Sequence, residues 1–280
     1  MIIDFHTHTF PDKIASKALK GLSDSSRAVP YTDGTASCRL KSMKEAGIDH
    51  SVNLAVATKA QQVEGINTAA IECSHSENDG IIYFGSMHYE YENVKTELKR
   101  LADNGIKGIK IHPAFYQLDI CDKRIKNIIY EASALGLIIV THAGWDIGFP
   151  EANYIPVKSL LEIDKEIGPK KMVLAHMGGW NDWDSVEADL AGSDYYFDTS
   201  FSLGRINARP DLKEPMRTYN MQDEDFVRLC KKHGVEKILF GTDSPWSEQS
   251  EFVEAINQLD FTDEEKELIF YKNAEGIVTL

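Results

Sequence analysis

The chain has 280 residues, which is the length of one large domain or two small ones. Its 30 Lys and Arg against 44 Asp and Glu give a net charge of −14, which argues against nucleic acid or an anionic membrane surface as the main partner. With 42% apolar and 26% charged residues, the composition is that of a soluble globular protein and excludes a fibrous or wholly disordered one.

Neither a membrane span nor a leader peptide is expected from the sequence. The longest apolar stretches are far short of the ~20 residues that a spanning helix needs, and no basic region precedes an apolar run at the N-terminus. The four cysteines are scattered, without a C-x-x-C pair, as expected for reduced thiols. We therefore expect a cytoplasmic protein.

A helical stretch, a glycine and an apolar run recur in that order along the chain. The glycines are Gly47, Gly105, Gly136, Gly168 and Gly234. Because glycine adopts the left-handed conformation without steric cost, each instance predicts a helix end, a short loop and a strand start. Together with the apolar runs elsewhere, the pattern predicts eight strands that begin near residues 2, 50, 81, 106, 136, 171, 195 and 237.

The segment 122–135 shows the helical half of the pattern. Asp122 is a suitable N-cap, and apolar residues follow it at steps of three and four. The predicted buried stripe consists of Ile125, Ile128, Ile129, Ala132 and Leu135.

The strand and helix pattern predicts an α/β fold, a (β/α)8 TIM barrel formed as a single domain by residues 1–280. The predicted strands are short and apolar rather than alternating, which is typical of parallel strands covered by helices. Eight such units in about 250 residues is the size of this barrel. The competing doubly wound sheet usually has a glycine-rich phosphate turn after its first strand, where this chain has His6-Thr7-His8.

Five of the nine histidines fall where predicted strands end, which is where a TIM barrel carries its catalytic groups. The polar residues at strand ends are His6, His8, Lys110, His112, His142, His176 and Asp243. Because side chains alternate along a strand, His6 and His8 share a side and can bind one cation. A lone histidine there is more often structural, and a metal-free pocket is the alternative. The occurrence of histidine or aspartate motifs at the ends of four strands, 1, 5, 6 and 8, favours a metal site. Three imidazoles with a carboxylate suit Zn²⁺, with Mn²⁺ as the alternative.

The motifs resemble those of the amidohydrolase superfamily, specifically the amidohydrolase-related branch that includes the aminocarboxymuconate semialdehyde decarboxylase-like proteins. The resemblance runs nearly end to end. It is carried by Asp4 to His8, Gly108 to Pro113, the histidines His142 and His176, Gly241 to Pro245, and Lys272 to Ala274.

The resemblance implies a ligand set for one divalent metal per chain. In it His6, His8 and His142 bind the metal with Asp243, and His176 lies beside it as a second-site ligand or an acid–base group. Catalysis would then rest on Asp243 and His176.

The resemblance leaves two further properties undecided, the number of metals per chain and the oligomeric state. Some superfamily members hold two metals bridged by a carboxylated lysine on strand 4, where this chain has Lys110, although the branch is mostly mononuclear. Homo-oligomers are frequent among relatives, so this chain is a candidate homo-oligomer as well.

Three functions are consistent with this site. In metal-assisted hydrolysis of a C–N or C–O bond in a small molecule, Asp243 accepts a proton from water and His176 assists the leaving group. In a non-oxidative decarboxylation of an aromatic or muconate-type acid, no water is consumed and a cationic clamp is needed. A barrel that binds metal or ligand without turnover is the third.

Substrate contacts are expected from residues on the same face. All four tryptophans follow strand ends, and aromatic walls bind planar or apolar substrates. For the decarboxylase alternative, Arg205 is the best placed cationic side chain to bind a substrate carboxylate, ahead of Arg209, Arg217 and Arg27. The residues expected to contact substrate are His112, Trp145, Arg205 and Trp246.

Overall fold

A computed structural model of the chain describes residues 1–76, 80–203 and 220–278. Its eight strands pair in chain order, all in parallel. They are β1 (Ile3–Thr7), β2 (His50–Leu54), β3 (Ile81–Ser86), β4 (Gly108–Ile111), β5 (Ile138–Thr141), β6 (Met172–Leu174), β7 (Tyr196–Asp198) and β8 (Ile238–Leu239). Every predicted start lies within two residues of the observed one.

The sheet closes on itself between β1 and the segment that follows β8. The backbone N–H of Phe5 donates to the carbonyl of Phe240 at 2.7 Å. Further along, the N–H of Asp243 donates to the carbonyl of His6 at 2.8 Å, and that of His8 to the carbonyl of Ser244 at 2.7 Å. These bonds remove the sheet edges, and the single-domain (β/α)8 TIM barrel is confirmed.

Helices follow the strands as expected. They are α1 (Asp12–Ser26), α2 (Ala36–Ala46), α3 (Val63–Ser74), α4 (Val94–Asp103), α5 (Pro113–Tyr116), α6 (Lys123–Ala134), α7 (Val157–Glu166), α8 (Trp183–Ser185), α9 (Asp223–His233), α10 (Gln249–Gln258), α11 (Asp263–Glu267) and α12 (Asn273–Val278). Short 3-10 turns span Ala60–Gln62 and Val235–Lys237, and π turns span Val186–Leu190 and Leu268–Lys272. Within the described ranges, no helix is long and apolar enough to cross a membrane.

Helix α6 confirms most of its predicted pattern. The Asp122 carboxylate accepts a hydrogen bond from the backbone N–H of Arg124 at 2.9 Å, which caps the helix. The first four residues of the predicted stripe are buried. The prediction for Leu135 was wrong: this residue is 37% exposed, because the helix has already ended and Leu135 is its C-cap.

Two apolar layers hold the barrel together. The smaller one is made by strand residues, including Phe5, Phe84 and Val140, and Ile277 of α12 packs against it. The larger one joins the outer faces of the strands to the surrounding helices. Since the apolar residues fill the body of the barrel, the polar residues at the strand ends are collected at one face.

Candidate active site

The ends of β1 and β8 bring two imidazoles and one carboxylate together. The ligand atoms of His6, His8 and Asp243 all lie within 4.8 Å of one another. Asp243 Oδ1 is 2.9 Å from His8 Nε2 and 3.6 Å from His6 Nε2. In a tetrahedral zinc site with bonds of about 2.0–2.1 Å, neighbouring ligand atoms are about 3.4 Å apart. The spacing and the donor types therefore fit a divalent first-row cation.

The other nitrogen of each imidazole is already engaged. His6 Nδ1 lies 2.8 Å from Asp198 Oδ2, and His8 Nδ1 lies 2.7 Å from the carbonyl oxygen of Leu54. Both partners are acceptors, so each Nδ1 carries a proton and each Nε2 is the nitrogen that can bind a cation beside Asp243. This arrangement, in which an outer acceptor fixes the tautomer of a ligating histidine, is the usual one at metal sites.

Asp198, the last residue of β7, was not among the predicted site residues. It is fully buried, and its Oδ1 accepts hydrogen bonds from the backbone N–H groups of His176 (3.1 Å) and Ser200 (3.0 Å) as well as from the Ser200 hydroxyl. Its position at the end of a predicted strand was the available signal. Asp198 thus links the ends of β1, β6 and β7.

The charges at the site are set by burial and by close contacts. Burial alone would raise the pKa of Asp243, but the hydrogen bond from His8 and the nearby imidazoles hold it well below its usual range. Burial and the neighbouring Lys110 lower the pKa of His6 far below its ordinary value. Asp243 is therefore a carboxylate and His6 a neutral imidazole at neutral pH, as metal binding requires.

His142 and His176 face each other beside this group. His142 Nδ1 and His176 Nε2 are 3.0 Å apart. The outer nitrogens, His142 Nε2 and His176 Nδ1, each contact a backbone carbonyl, that of Trp145 at 2.9 Å and that of Ser200 at 3.0 Å. Because carbonyls only accept, both outer nitrogens carry protons, which leaves two lone pairs facing each other. A proton or a cation between them would satisfy both.

His142 belongs to a second group rather than to the first. Its ligand atom lies within 4.8 Å of those of His112 and Asp146. The role of His142 as a fourth ligand beside His6 and Asp243 thus stays a prediction. Asp146, in the loop after β5, was not singled out in the sequence, where nothing marks it as a site residue.

Lys110 projects from β4 into the same region. It is buried, and its Nζ lies 3.4 Å from His6 Nε2. Burial lowers the pKa of Lys110 to about 8, although the nearby carboxylates of Asp198 and Asp243 partly offset this lowering. At pH 7 Lys110 is therefore mainly an ammonium group, with a larger fraction of the neutral amine, the form that reacts with CO₂, than an exposed lysine has.

The four tryptophans share one wall of this face. Trp180 is buried with Phe201, and Trp145, Trp183 and Trp246 pack against them. Trp183 Nε1 donates to the carbonyl of His176 at 3.0 Å. The predicted substrate contacts Trp145 and Trp246 therefore lie in one aromatic cluster. Arg205, with Arg209 and Arg217, falls outside the described residues.

A profile of the amidohydrolase family matches residues 3–279. This chain belongs to the amidohydrolase family. That membership makes the protein an enzyme of the superfamily that its motifs resemble, and the His6, His8 and Asp243 group has the donor atoms that a divalent metal site needs. No curated protein matches the sequence.

Several solved structures share the fold of this amidohydrolase. An uncharacterised TIM-barrel protein from Bordetella bronchiseptica is 16% identical, with 99% of this chain and 98% of that chain covered and a TM-score of 0.74. A probable 2-pyrone-4,6-dicarboxylic acid hydrolase from Acinetobacter baumannii is 18% identical (100% and 99% covered, TM-score 0.67). A 5-carboxyvanillate decarboxylase from Novosphingobium aromaticivorans, solved with manganese, is 12% identical (100% and 97% covered, TM-score 0.69). At these identities the likeness shows the fold alone.

Proposed function

We propose that this amidohydrolase uses one divalent cation to hydrolyse a C–N or C–O bond, such as an amide, a cyclic amide or a lactone, in a small substrate. The observation that carries the proposal is the placement of Asp243 between two imidazoles. Its Oδ1 is within 3.6 Å of His6 Nε2 and 2.9 Å of His8 Nε2, so a carboxylate borders the place where a cation would sit.

The cation itself is part of the proposal. Zn²⁺ suits the imidazole and carboxylate donors best, and Mn²⁺ is the alternative, which a distant structural relative also contains. When bound, it supplies the Lewis acidity that activates water and polarises a carbonyl group.

The chain's own residues would then move the protons. The carboxylate of Asp243 accepts the proton of the attacking water, as a positioned general base. His176 Nε2 faces the same space and can hold a proton between itself and His142 Nδ1, 3.0 Å away, for delivery to the leaving group. The tryptophan cluster offers an apolar wall for the rest of the substrate.

Decarboxylation is the second candidate, and the observation in its favour is Lys110. A buried ammonium group beside His6 is suited to a substrate carboxylate. Solved structures of the same fold include proteins named as decarboxylases of two aromatic acids, 5-carboxyvanillate and 2,6-dihydroxybenzoate. In this reaction the metal site would orient the acid and the product would be CO₂.

One assay separates the two candidates. The zinc- or manganese-loaded protein is incubated with amides, lactones and aromatic carboxylates in ¹⁸O-water, and both ¹⁸O incorporation and CO₂ release are followed. We expect ¹⁸O in the product, and a loss of about 10²-fold or more in Asp243→Asn, with Asp189→Asn, an exposed carboxylate, as the matched control. CO₂ release without ¹⁸O uptake would contradict hydrolysis.

A further inference from the structure

Asp4, on β1 beside the first histidine of the metal group, is fully buried and accepts four hydrogen bonds. Its Oδ1 accepts from the backbone N–H groups of His6 (3.2 Å) and Thr242 (3.0 Å). Its Oδ2 accepts from the Thr242 hydroxyl (2.6 Å) and from Gln249 Nε2 (2.7 Å). Because every partner is a donor, both oxygens act as acceptors and Asp4 is a carboxylate. It therefore joins β1, the segment after β8 and the start of α10.

Asp243 has a backbone conformation that is uncommon for a residue other than glycine. Its φ is +62°, in the left-handed region, which such a residue keeps only when its surroundings enforce it. The bonds to Asp4 hold Thr242 immediately before it, and the Thr242 hydroxyl accepts the backbone N–H of Ser244 immediately after it at 3.1 Å. The backbone on both sides of the metal group's carboxylate is thus fixed from Asp4.

Arg39 of α2 supplies a positive charge close to Asp4 in the interior. It is 1% exposed, and its Nη2 donates to the carbonyl of His8, the second histidine of the metal group, at 3.3 Å. Burial lowers the pKa of Arg39 to about 10, although the nearby carboxylate of Asp4 partly offsets this lowering, so Arg39 is a cation at neutral pH. Such a countercharge is needed because an unbalanced charge in the interior is costly.

We propose that Asp4 is a positioning residue of the metal group: by holding Asp243 in its left-handed backbone conformation, it places the Asp243 carboxylate against the two imidazoles. The inference rests on the metal binding in the proposed function, because it assigns a residue that shapes that site without contributing a ligand atom to it. A change in the backbone at Asp243 would move its Oδ1 away from His8 Nε2 and His6 Nε2, which it now meets at 2.9 and 3.6 Å.

Two variants separate an effect of position from an effect of charge. Asp4→Asn keeps the size of the side chain but turns one acceptor into a donor, so one of its partners loses its acceptor. It also removes a negative charge near the proposed cation, which by itself weakens cation binding. Thr242→Val keeps every charge and the side-chain shape, and it removes the hydroxyl that connects Asp4 to the N–H of Ser244. A loss of metal affinity in both variants therefore reports position.

Glu97 of α4 provides the matched control, as a buried carboxylate that does not belong to the metal group. It is 5% exposed and accepts hydrogen bonds from Asn67 Nδ2 at 2.8 Å and from Arg100 Nη2 at 2.7 Å. Glu97→Gln makes the same exchange of an acceptor for a donor as Asp4→Asn does. We expect Glu97→Gln to lower the free energy of unfolding and to leave metal binding unchanged.

The test measures metal binding and does not depend on activity. Metal-free protein is loaded with Zn²⁺ or Co²⁺, zinc affinity is measured by competition with a chelator, and the visible absorption of bound Co²⁺ reports the ligand geometry. We expect zinc affinity to fall about 10- to 100-fold in Asp4→Asn and in Thr242→Val, with the Co²⁺ bands shifted or weakened in both. Unfolding of the metal-free proteins in urea measures the loss of stability separately.

The proposal is overturned if either Asp4→Asn or Thr242→Val, as folded protein, keeps the zinc affinity and Co²⁺ spectrum of the wild type. A loss in Asp4→Asn alone would be an effect of charge. It is also overturned if Glu97→Gln loses affinity to the same extent. If Asp4→Asn does not fold, Thr242→Val decides in the same way. A wild type that binds neither metal would overturn the proposed function as well, whereas wild-type binding that the variants preserve overturns this inference alone.

Discussion

His6 and Asp198 are 192 residues apart in the chain, yet His6 Nδ1 and Asp198 Oδ2 lie 2.8 Å apart with both side chains buried. The pair fixes the tautomer of a ligand proposed for the metal, and it does so from β7, two strands away from β1 around the closed barrel. The metal group is therefore positioned by a residue that does not itself belong to it.

Replacement of Asp198 with Asn tests this relationship. The amide removes the negative charge that orients His6, so we expect metal affinity to fall about 10- to 100-fold while the barrel still folds. Affinity is measured by competition with a chelator of known strength. Asp189→Asn, on the exposed side of the turn after α8, serves as control and should bind metal normally. Unchanged affinity in Asp198→Asn would contradict the role of this pair.

Gly144, three residues after β5, is expected to be intolerant of any side chain. Its φ is +79°, and a Cβ there would lie 2.4 Å from the backbone nitrogen of Trp180. We expect Gly144→Ala to cost about 1–2 kcal/mol for the conformation and a further 1–3 kcal/mol for the clash.

Gly192 provides the matched control, since its φ is +87° but no atom lies within 4 Å of the position that a Cβ would take at that residue. Gly192→Ala should therefore show only the conformational cost of about 1–2 kcal/mol. The free energies of unfolding in urea are compared. Equal losses of unfolding free energy in the two variants would contradict the prediction, because they would show that the backbone around Trp180 accommodates the added Cβ without cost.

His233 should make the stability of the fold depend on pH. Its ring stacks on Phe197 at 3.7 Å, its Nε2 donates to the carbonyl of Tyr195, and burial lowers its pKa to about 4. Between pH 4 and about 6.5, the unfolded chain binds a proton that the folded chain does not. Stability therefore rises with pH across this window and is lost as the pH falls through it.

His233 Nδ1 also accepts a hydrogen bond from the backbone N–H of Gly192 at 3.1 Å. His233→Gln isolates the effect of protonation, because a glutamine amide can both donate and accept a hydrogen bond but does not titrate. Between pH 7 and pH 4, the wild type should lose about 3 kcal/mol more unfolding free energy than the variant. Both proteins carry the same metal-site histidines, so their contribution cancels in the difference. Parallel pH profiles for the two proteins would show that His233 is protonated in the fold at no cost.

The barrel could be predicted from the sequence because its signals are local. Glycines at helix ends, such as Gly47 with φ +69° and Gly136 with φ +71°, mark each turn from helix to strand whatever the rest of the chain does. The pairing of His6 with His8 is equally local, since it follows from alternation along one strand. Leu135 was misplaced because the end of a helix is set by its cap, which the apolar period does not show.

The supporting residues of the site could not be predicted in the same way. Asp198 acts on His6 only because the closed sheet brings the end of β7 near β1, which no spacing in the sequence encodes. Asp146 joins His112 and His142 through the course of the loop after β5, and loops carry no periodic signal. Long-range closure and loop geometry are thus what the sequence left open.

The central claim is that His6, His8 and Asp243 hold a divalent cation, and the metal content of the protein tests it most directly. Protein purified without chelator and dialysed should contain about one equivalent of zinc or manganese, and His6→Ala and Asp243→Asn should lose it while remaining folded. Native protein without metal, and with none regained on reconstitution, would contradict the account.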